Sequence, residues 1–175
     1  MLDSLLLRTT ELVGKKYLDP ACGSGVFLVG VFNRIAEEWT QANPEAKNDR
    51  RARELLKLLQ DSVFGIDINP TACRITAFSL YLAYLDQLSP RGIRELQEKK
   101  GALPRLVGCP VGSKSTKSGK NIWCGDFFHD DERYPIGVDF VVGNPPWGSI
   151  AIEGTPAATW CEAQEPPLEI PDKQI

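Results

Sequence analysis

Residues 15–40 read KKYLDPACGSGVFLVGVFNRIAEEWT. A short apolar strand over residues 15–19 ends in an acid and passes through DPACGSG into a segment where Phe27, Val31, Ile35 and Trp39 recur at a spacing of four, the repeat of one helix face. Gly23 and Gly25 permit positive φ and close approach of the backbone to a ligand, and the helix that follows offers free N–H groups. Strand, glycine turn and helix form the opening of a βαβ unit. A strand-to-helix turn that merely needs glycine satisfies the same pattern. The dinucleotide fingerprint does not fit: there is no third glycine at its offset, and the next acidic strand end, Asp67, lies beyond the usual spacing of about 20 residues. Asp19, placed before the glycines, suits a cationic amino group better than a pyrophosphate.

Working outward, residues 2–14 read as a helix (Leu2, Leu5, Leu6, Leu12, Val13), and Asn43-Pro44 stops the helix that begins near Val26. DRRARELLKLLQ is a further helical run, leading into the short strand VFGID (63–67). Asn69 caps a helix that has Pro70 at its first position and reaches about Leu88. Ile75, Phe78, Leu80, Leu82 and Leu85 put apolar residues on several of its sides, so it is expected to be well buried. Residues 89–120 carry eight Lys/Arg against two Glu, and read as a basic insertion loop. A solvated loop and a phosphate-contacting segment are both open readings of it. NIWCGDFF and VDFVVGNPPW then read as two strands. Residues 150–175 form an irregular, acidic, Pro-rich tail.

The bulk properties are those of one globular domain: 175 residues, 42% hydrophobic, 25% charged, net charge −3. That balance gives no global sign of a nucleic-acid partner. Five cysteines without a C-x-x-C pair and a single histidine, His129, argue against a metal site. An odd cysteine count without a signal peptide points to a reducing cytoplasm. No apolar run approaches membrane-spanning length, so no membrane partner is expected.

Strands alternating with helices indicate an α/β fold with a largely parallel sheet, whose ligands bind outside the carboxyl ends of the strands. All four strand ends carry unusual residues: DPACGSG, GIDINP, CGDFF and GNPPW. Asp67 can accept both hydroxyls of a ribose or act as an N-terminal helix charge. Asp126 beside Phe127 suits the amino group and face of an adenine, or is a simple turn aspartate. Asn144-Pro145-Pro146-Trp147 joins a carboxamide, a rigid turn and an indole, and as a bare pattern it also terminates a strand.

DPACGSGVFL, GIDINP, GDFF and NPPW, in that order, resemble the motifs of the amino-group DNA methyltransferases. They are most similar to the adenine-N6 methylases of restriction-modification systems, in particular the large single-chain type. The resemblance covers residues 2–149, a partial catalytic domain spanning 1–149. It implies a Rossmann-like S-adenosylmethionine-dependent methyltransferase fold, incomplete at about four of seven strands. It implies S-adenosyl-L-methionine as cofactor and duplex DNA with a flipped target adenine as substrate. Position by position, it implies that Asp19, Ala21, Cys22, Gly23 and Gly25 hold the methionine end of the cofactor. Asp67 would take the ribose, Ile68 would pack on the cofactor adenine, Asp126 would bind its amino group and Phe127 would lie against its ring. Asn144, Pro145, Pro146 and Trp147 would form the catalytic turn, with Trp147 stacking on the flipped base.

The chain departs from that family in lacking a Phe/Tyr-Thr-Pro element ahead of its first helix, and in lacking further strands and a target-recognition region after Trp147. It is therefore expected to be a piece of a larger enzyme, with the recognition domain or subunit elsewhere and no activity of its own. The alternatives are a non-catalytic cofactor-binding or DNA-docking remnant, and a methylase of another amino group. Guanine-N2 and protein-glutamine methylases share an NPP turn but differ in the first motif. Cytosine-N4 methylases typically carry Ser at the position of Asn144.

Overall fold

A computed structural model describes residues 11–98, 103–108, 121–128, 137–144 and 154–168. Strand β1 (Tyr17–Asp19) is followed by helices α1 (Val26–Ala42) and α2 (Asn48–Ser62), then strand β2 (Val63–Asp67). Helices α3 (Pro70–Asp86) and α4 (Pro90–Glu98) come next, then strands β3 (Ile122–Cys124) and β4 (Phe140–Val141) and helix α5 (Pro156–Glu162). The strands make one all-parallel sheet in the order β3-β2-β1-β4. This is the α/β arrangement of a Rossmann-like methyltransferase fold.

Side chains alternate along each strand, and both faces of this sheet are covered. Tyr17, Val63 and Ile122 face one layer and join Leu28, Val31, Phe32, Ile35, Leu55, Leu59 and Leu80 of the helices in the main core. Leu18, Phe64, Ile66 and Trp123 face the other side and form a second buried cluster. A parallel sheet covered on both faces reads as short continuous apolar runs, as KKYLD and VFGID do. Asn121 ties the layers at the far end of the sheet. Its Nδ2 donates to the carbonyls of Leu59 (3.3 Å), Gln60 (2.9 Å) and Val63 (2.8 Å), joining the end of α2 to the start of β3.

Topology positions the site. The chain moves outward from β1 to β2 to β3 through crossover helices, then returns to place β4 on the opposite side of β1. The direction of winding reverses between β1 and β4, and the crevice at the carboxyl ends of such a strand pair is where open α/β sheets bind their ligands.

Several expectations are corrected. Residues 11–14 are not helical. The Leu12 N–H donates to both carboxylate oxygens of Glu38 (2.9 and 3.2 Å) and the Val13 N–H to one of them, and Gly14 has φ 86°. The rest of that expected helix lies outside the described residues. Helix α3 is buried on one face only. Cys73, Thr76, Ala77, Leu80, Ala83 and Tyr84 form its buried stripe, while Ile75, Phe78 and Leu82 face outward on another.

The segment read as a basic insertion loop begins with α4. Ser89 Oγ accepts the Gly92 N–H (3.1 Å), and Ile93 and Leu96 pack on the core. Arg91 and Arg94 are matched in α4 by Glu95 and Glu98, so the positive excess belongs to residues 99–120, most of which lie outside the described ones. Val107 then bridges Ile122 in parallel. In the tail read as irregular, Thr155 Oγ1 accepts the Ala158 N–H (3.3 Å) and caps α5. Among the described residues no helix is long and apolar enough to cross a membrane.

Candidate active site

The glycine turn after β1 is held from two neighbouring elements. Gly23 (φ 54°) donates its N–H to Asp67 Oδ2 (2.8 Å) at the end of β2. Its carbonyl accepts the hydroxyl of Thr76 on α3 (2.8 Å). Gly25 (φ 82°) precedes the first residue of α1, and a methyl group there would stand 2.8 Å from Thr76 Cγ2 and 3.1 Å from Thr76 Cα. Positive φ and backbone contact together demand glycine at this position. Thr76 was not singled out by the sequence. It is a fully buried threonine in a helix, and only its placement under the turn shows what its hydroxyl does.

Asp19 ends the central strand and is 1% exposed. Its Oδ1 accepts the Ala21 N–H (3.1 Å), and no cation among the described residues forms an ion pair with it. Burial pushes its carboxyl up to about 6, against the opposing effect of the Ala21 N–H and with a smaller contribution from Asp67. Cys22 is no nucleophile, because burial pushes its thiol up to about 12.

Asp67 serves both turns that flank it. Oδ2 takes the Gly23 N–H, and Oδ1 takes the Asn69 N–H (2.8 Å). Asn69 Oδ1 in turn caps α3 through Thr71 N (2.8 Å). Asp67 is partly exposed at the carboxyl end of β2. Ile68 follows with its side chain exposed. At the end of β3, Asp126 Oδ1 accepts the Phe128 N–H (2.9 Å) and Phe127 stands 36% exposed.

Strand β4 closes the site. The Val142 N–H donates to the Leu18 carbonyl (2.8 Å), which carries Gly143 directly over the β1 acid. A methyl group on Gly143 would stand 2.6 Å from Asp19 Oδ1 and 3.1 Å from its Cγ. Asn144 is the next residue and is exposed. Asp19, Ala21, Cys22, Gly23 and Gly25 therefore lie at the switch point, where Gly143 packs on Asp19 and Asn144 follows it in the chain, with Asp67, Ile68, Asp126 and Phe127 along the adjoining strand ends. Pro145, Pro146 and Trp147 lie outside the described residues. Among the described residues no group of three or more His, Cys, Asp or Glu is placed to hold a metal ion.

The arrangement is that of a Rossmann-like α/β domain, with the residues singled out in the sequence at the carboxyl ends of β1, β2 and β3 and Asn144 following β4. The chain belongs to the Eco57I restriction-modification methylase family, which it matches over residues 61–162. It is 38% identical over 105 residues to the adenine-specific methyltransferase PglX of Streptomyces coelicolor, covering 59% of this chain and 8% of that protein. It is 34% identical over 93 residues to the adenine-specific methyltransferase BrxX of Escherichia coli O9:H4, covering 49% of this chain and 7% of that protein. It is also 27% identical over 153 residues to the type II restriction enzyme and methyltransferase RM.Eco57I of Escherichia coli, covering 78% of this chain and 15% of that protein. The chain thus spans a small fraction of each of these relatives.

The state of Asp19 makes a first prediction. Its folded pKa is raised, so the stability it contributes is present below the ordinary carboxylate pKa and is lost as pH rises through about 6. Asp19→Asn should therefore stabilise the ligand-free protein at pH 8 by up to about 3 kcal/mol and leave it unchanged at pH 4. Binding of a cationic ligand runs the other way. Its affinity should fall about tenfold per pH unit below 6, since Asp19 must ionise to receive it. Thermal melts and calorimetric titrations across pH 4–8 check both signs. An Asp19→Asn variant less stable than the parent at pH 8 would refute the account.

Proposed function

We propose that the whole protein methylates the exocyclic N6 amino group of adenine in duplex DNA, with S-adenosyl-L-methionine as donor, in a restriction-modification or phage-defence system. It would act in the cytoplasm, and a target-recognition region or subunit would supply the DNA site. The observation that supports this reading is the packing of Gly143 on the Asp19 carboxylate, which brings Asn144, the next residue, to the carboxyl end of β1.

The residues fit the cofactor. Asp19 supplies a buried carboxylate without an ion-pair partner among the described residues for its cationic methionine end, and Gly23 in the turn after β1 supplies backbone with open space beside it. Asp67 supplies a partly exposed carboxylate for the ribose hydroxyls, and Ile68 and Phe127 supply apolar faces, with Asp126 beside them, for the adenine. When bound, S-adenosylmethionine supplies an electrophilic methyl group on sulfonium.

The substrate nitrogen is a poor nucleophile because its lone pair is delocalised into the ring. The Asn144 carboxamide oxygen and the Pro145 carbonyl accept its two N–H bonds, favouring a pyramidal nitrogen with its lone pair directed outward. Pro145 and Pro146 hold that carbonyl at little entropic cost. Trp147 stacks on the target base, which must leave the duplex to reach the site. The chain's contribution is positioning and electrostatic stabilisation, with no side chain needed as a base beforehand.

Digestion of DNA treated with the whole protein should release N6-methyladenine as the modified nucleoside. Methylcytosine or methylguanine in its place, or methyl transfer to protein alone, would overturn the proposal.

A further inference from the structure

We infer that Trp160 on α5 is a positioning residue for the adenine pocket of the cofactor site, acting through Phe128. The inference rests on the proposed roles of Asp126 and Phe127. The ring of Trp160 lies 5.6 Å from that of Phe128 at an interplanar angle of 54°, and Phe128 lies 5.2 Å from Phe127 at 73°. These are tilted and edge-to-face contacts of the kind aromatic quadrupoles favour.

The Phe128 N–H is also the donor to Asp126 Oδ1. Phe128 is therefore joined to both adenine contacts, to the carboxylate by a hydrogen bond and to the Phe127 ring by an edge-to-face contact. Whatever fixes the Phe128 ring fixes the pair together.

Among the described residues, the ring of Trp160 meets that of Phe128 from outside the turn. Its helix is capped by Thr155, and Ala157 and Ala158 on it are buried. Trp160 itself is 44% exposed, so the indole is not there to fill a core. The contact joins a segment that follows residue 147 to the turn at the carboxyl end of β3, the edge strand opposite β4. The site is thereby braced from both sides, by Thr76 beneath the glycine turn and by Trp160 beside the GDFF turn.

The test uses the whole protein, with cofactor affinity by calorimetry and steady-state constants for Trp160→Ala, Trp160→Phe, Phe128→Leu, the Trp160→Ala/Phe128→Leu double variant and Asp67→Ala. Trp160→Ala should raise the cofactor Kd and KM about 3- to 10-fold, the range of an aromatic pair. It should leave kcat at saturating cofactor and the KM for DNA within twofold. Trp160→Phe should bind as the parent does. Phe128→Leu should weaken binding as much as Trp160→Ala, and the double variant no more than Phe128→Leu alone, because the two act in series.

Unchanged affinity in Trp160→Ala while Asp67→Ala weakens binding would overturn this inference and leave the cofactor site standing. Full additivity in the double variant, or a loss confined to kcat, would overturn it too. Unchanged affinity in Asp67→Ala would overturn the cofactor site and the inference with it. Should Trp160→Ala fail to fold, affinity kept by Trp160→Phe and lost by Phe128→Leu supports the inference, and any other result for that pair overturns it.

Discussion

Replacing Asn144 by Ala in the whole protein should lower kcat by at least about 10²–10³-fold, the usual cost of removing one preorganised polar group that stabilises a transition state. Cofactor affinity should stay within about twofold of the parent. Asn144 follows β4 and is exposed, whereas the groups assigned to the cofactor lie at the ends of β1, β2 and β3. Asn144→Asp keeps an acceptor oxygen and should retain more activity than Asn144→Ala. Single-turnover rates with saturating cofactor separate chemistry from binding. A variant that loses cofactor affinity as well as rate would show that Asn144 belongs to the cofactor site, contrary to the role assigned here.

Gly143→Ala should be nearly as damaging, for a reason visible only in three dimensions. Its new methyl group would collide with Asp19 Oδ1 at 2.6 Å. Asp19 cannot retreat. It lies on a central strand, is 1% exposed, and is held by the Ala21 N–H. Strand β4 is two residues long and pairs only with β1 among the described strands, so it is the element that moves. A displacement of about 1 Å at a reacting group costs on the order of 10²-fold in rate, and that is the loss expected in kcat. Overpacking of this size should also cost about 1–3 kcal/mol of stability. Activity within threefold of the parent would mean that Asn144 tolerates misplacement, and the seating of β4 on Asp19 would then carry no function.

The sheet strands and the helices α1 to α3 were legible because their signals are local. Asn69-Pro70 gives the start of α3 correctly, since a side-chain acceptor followed by proline satisfies the first turn of a helix. The same pattern at Ser89-Pro90 and Thr155-Pro156 marks the starts of α4 and α5. There it was outweighed by composition: a count of lysines and arginines in one case, of acids and prolines in the other. Composition averages over a segment and hides an interleaved pair such as Arg91–Glu95, whose spacing of four is a helical signal. The burial of α3 was misjudged in a similar way. Counting apolar residues without their phase assigns Ile75, Phe78 and Leu82 to the core, although they lie on a different stripe from Cys73, Thr76, Leu80 and Ala83.

By itself the sequence determined the α/β class and the four strands, because strand period, helix period and turn chemistry are properties of a few neighbouring residues. It also determined the resemblance that the family match over residues 61–162 later supported. Tertiary structure alone decided that β4 lies beside β1, that Gly143 rests on Asp19, that Thr76 holds the glycine turn and that Trp160 reaches Phe128. Each of these joins residues far apart in the chain. A backbone ladder between Leu18 and Val141 leaves no periodic mark on either strand, since any two parallel strands offer the same N–H and C=O groups. Which strand pairs with which is settled by how the whole set of helices and sheet faces buries its apolar surface, and that sum is not contained in any one segment.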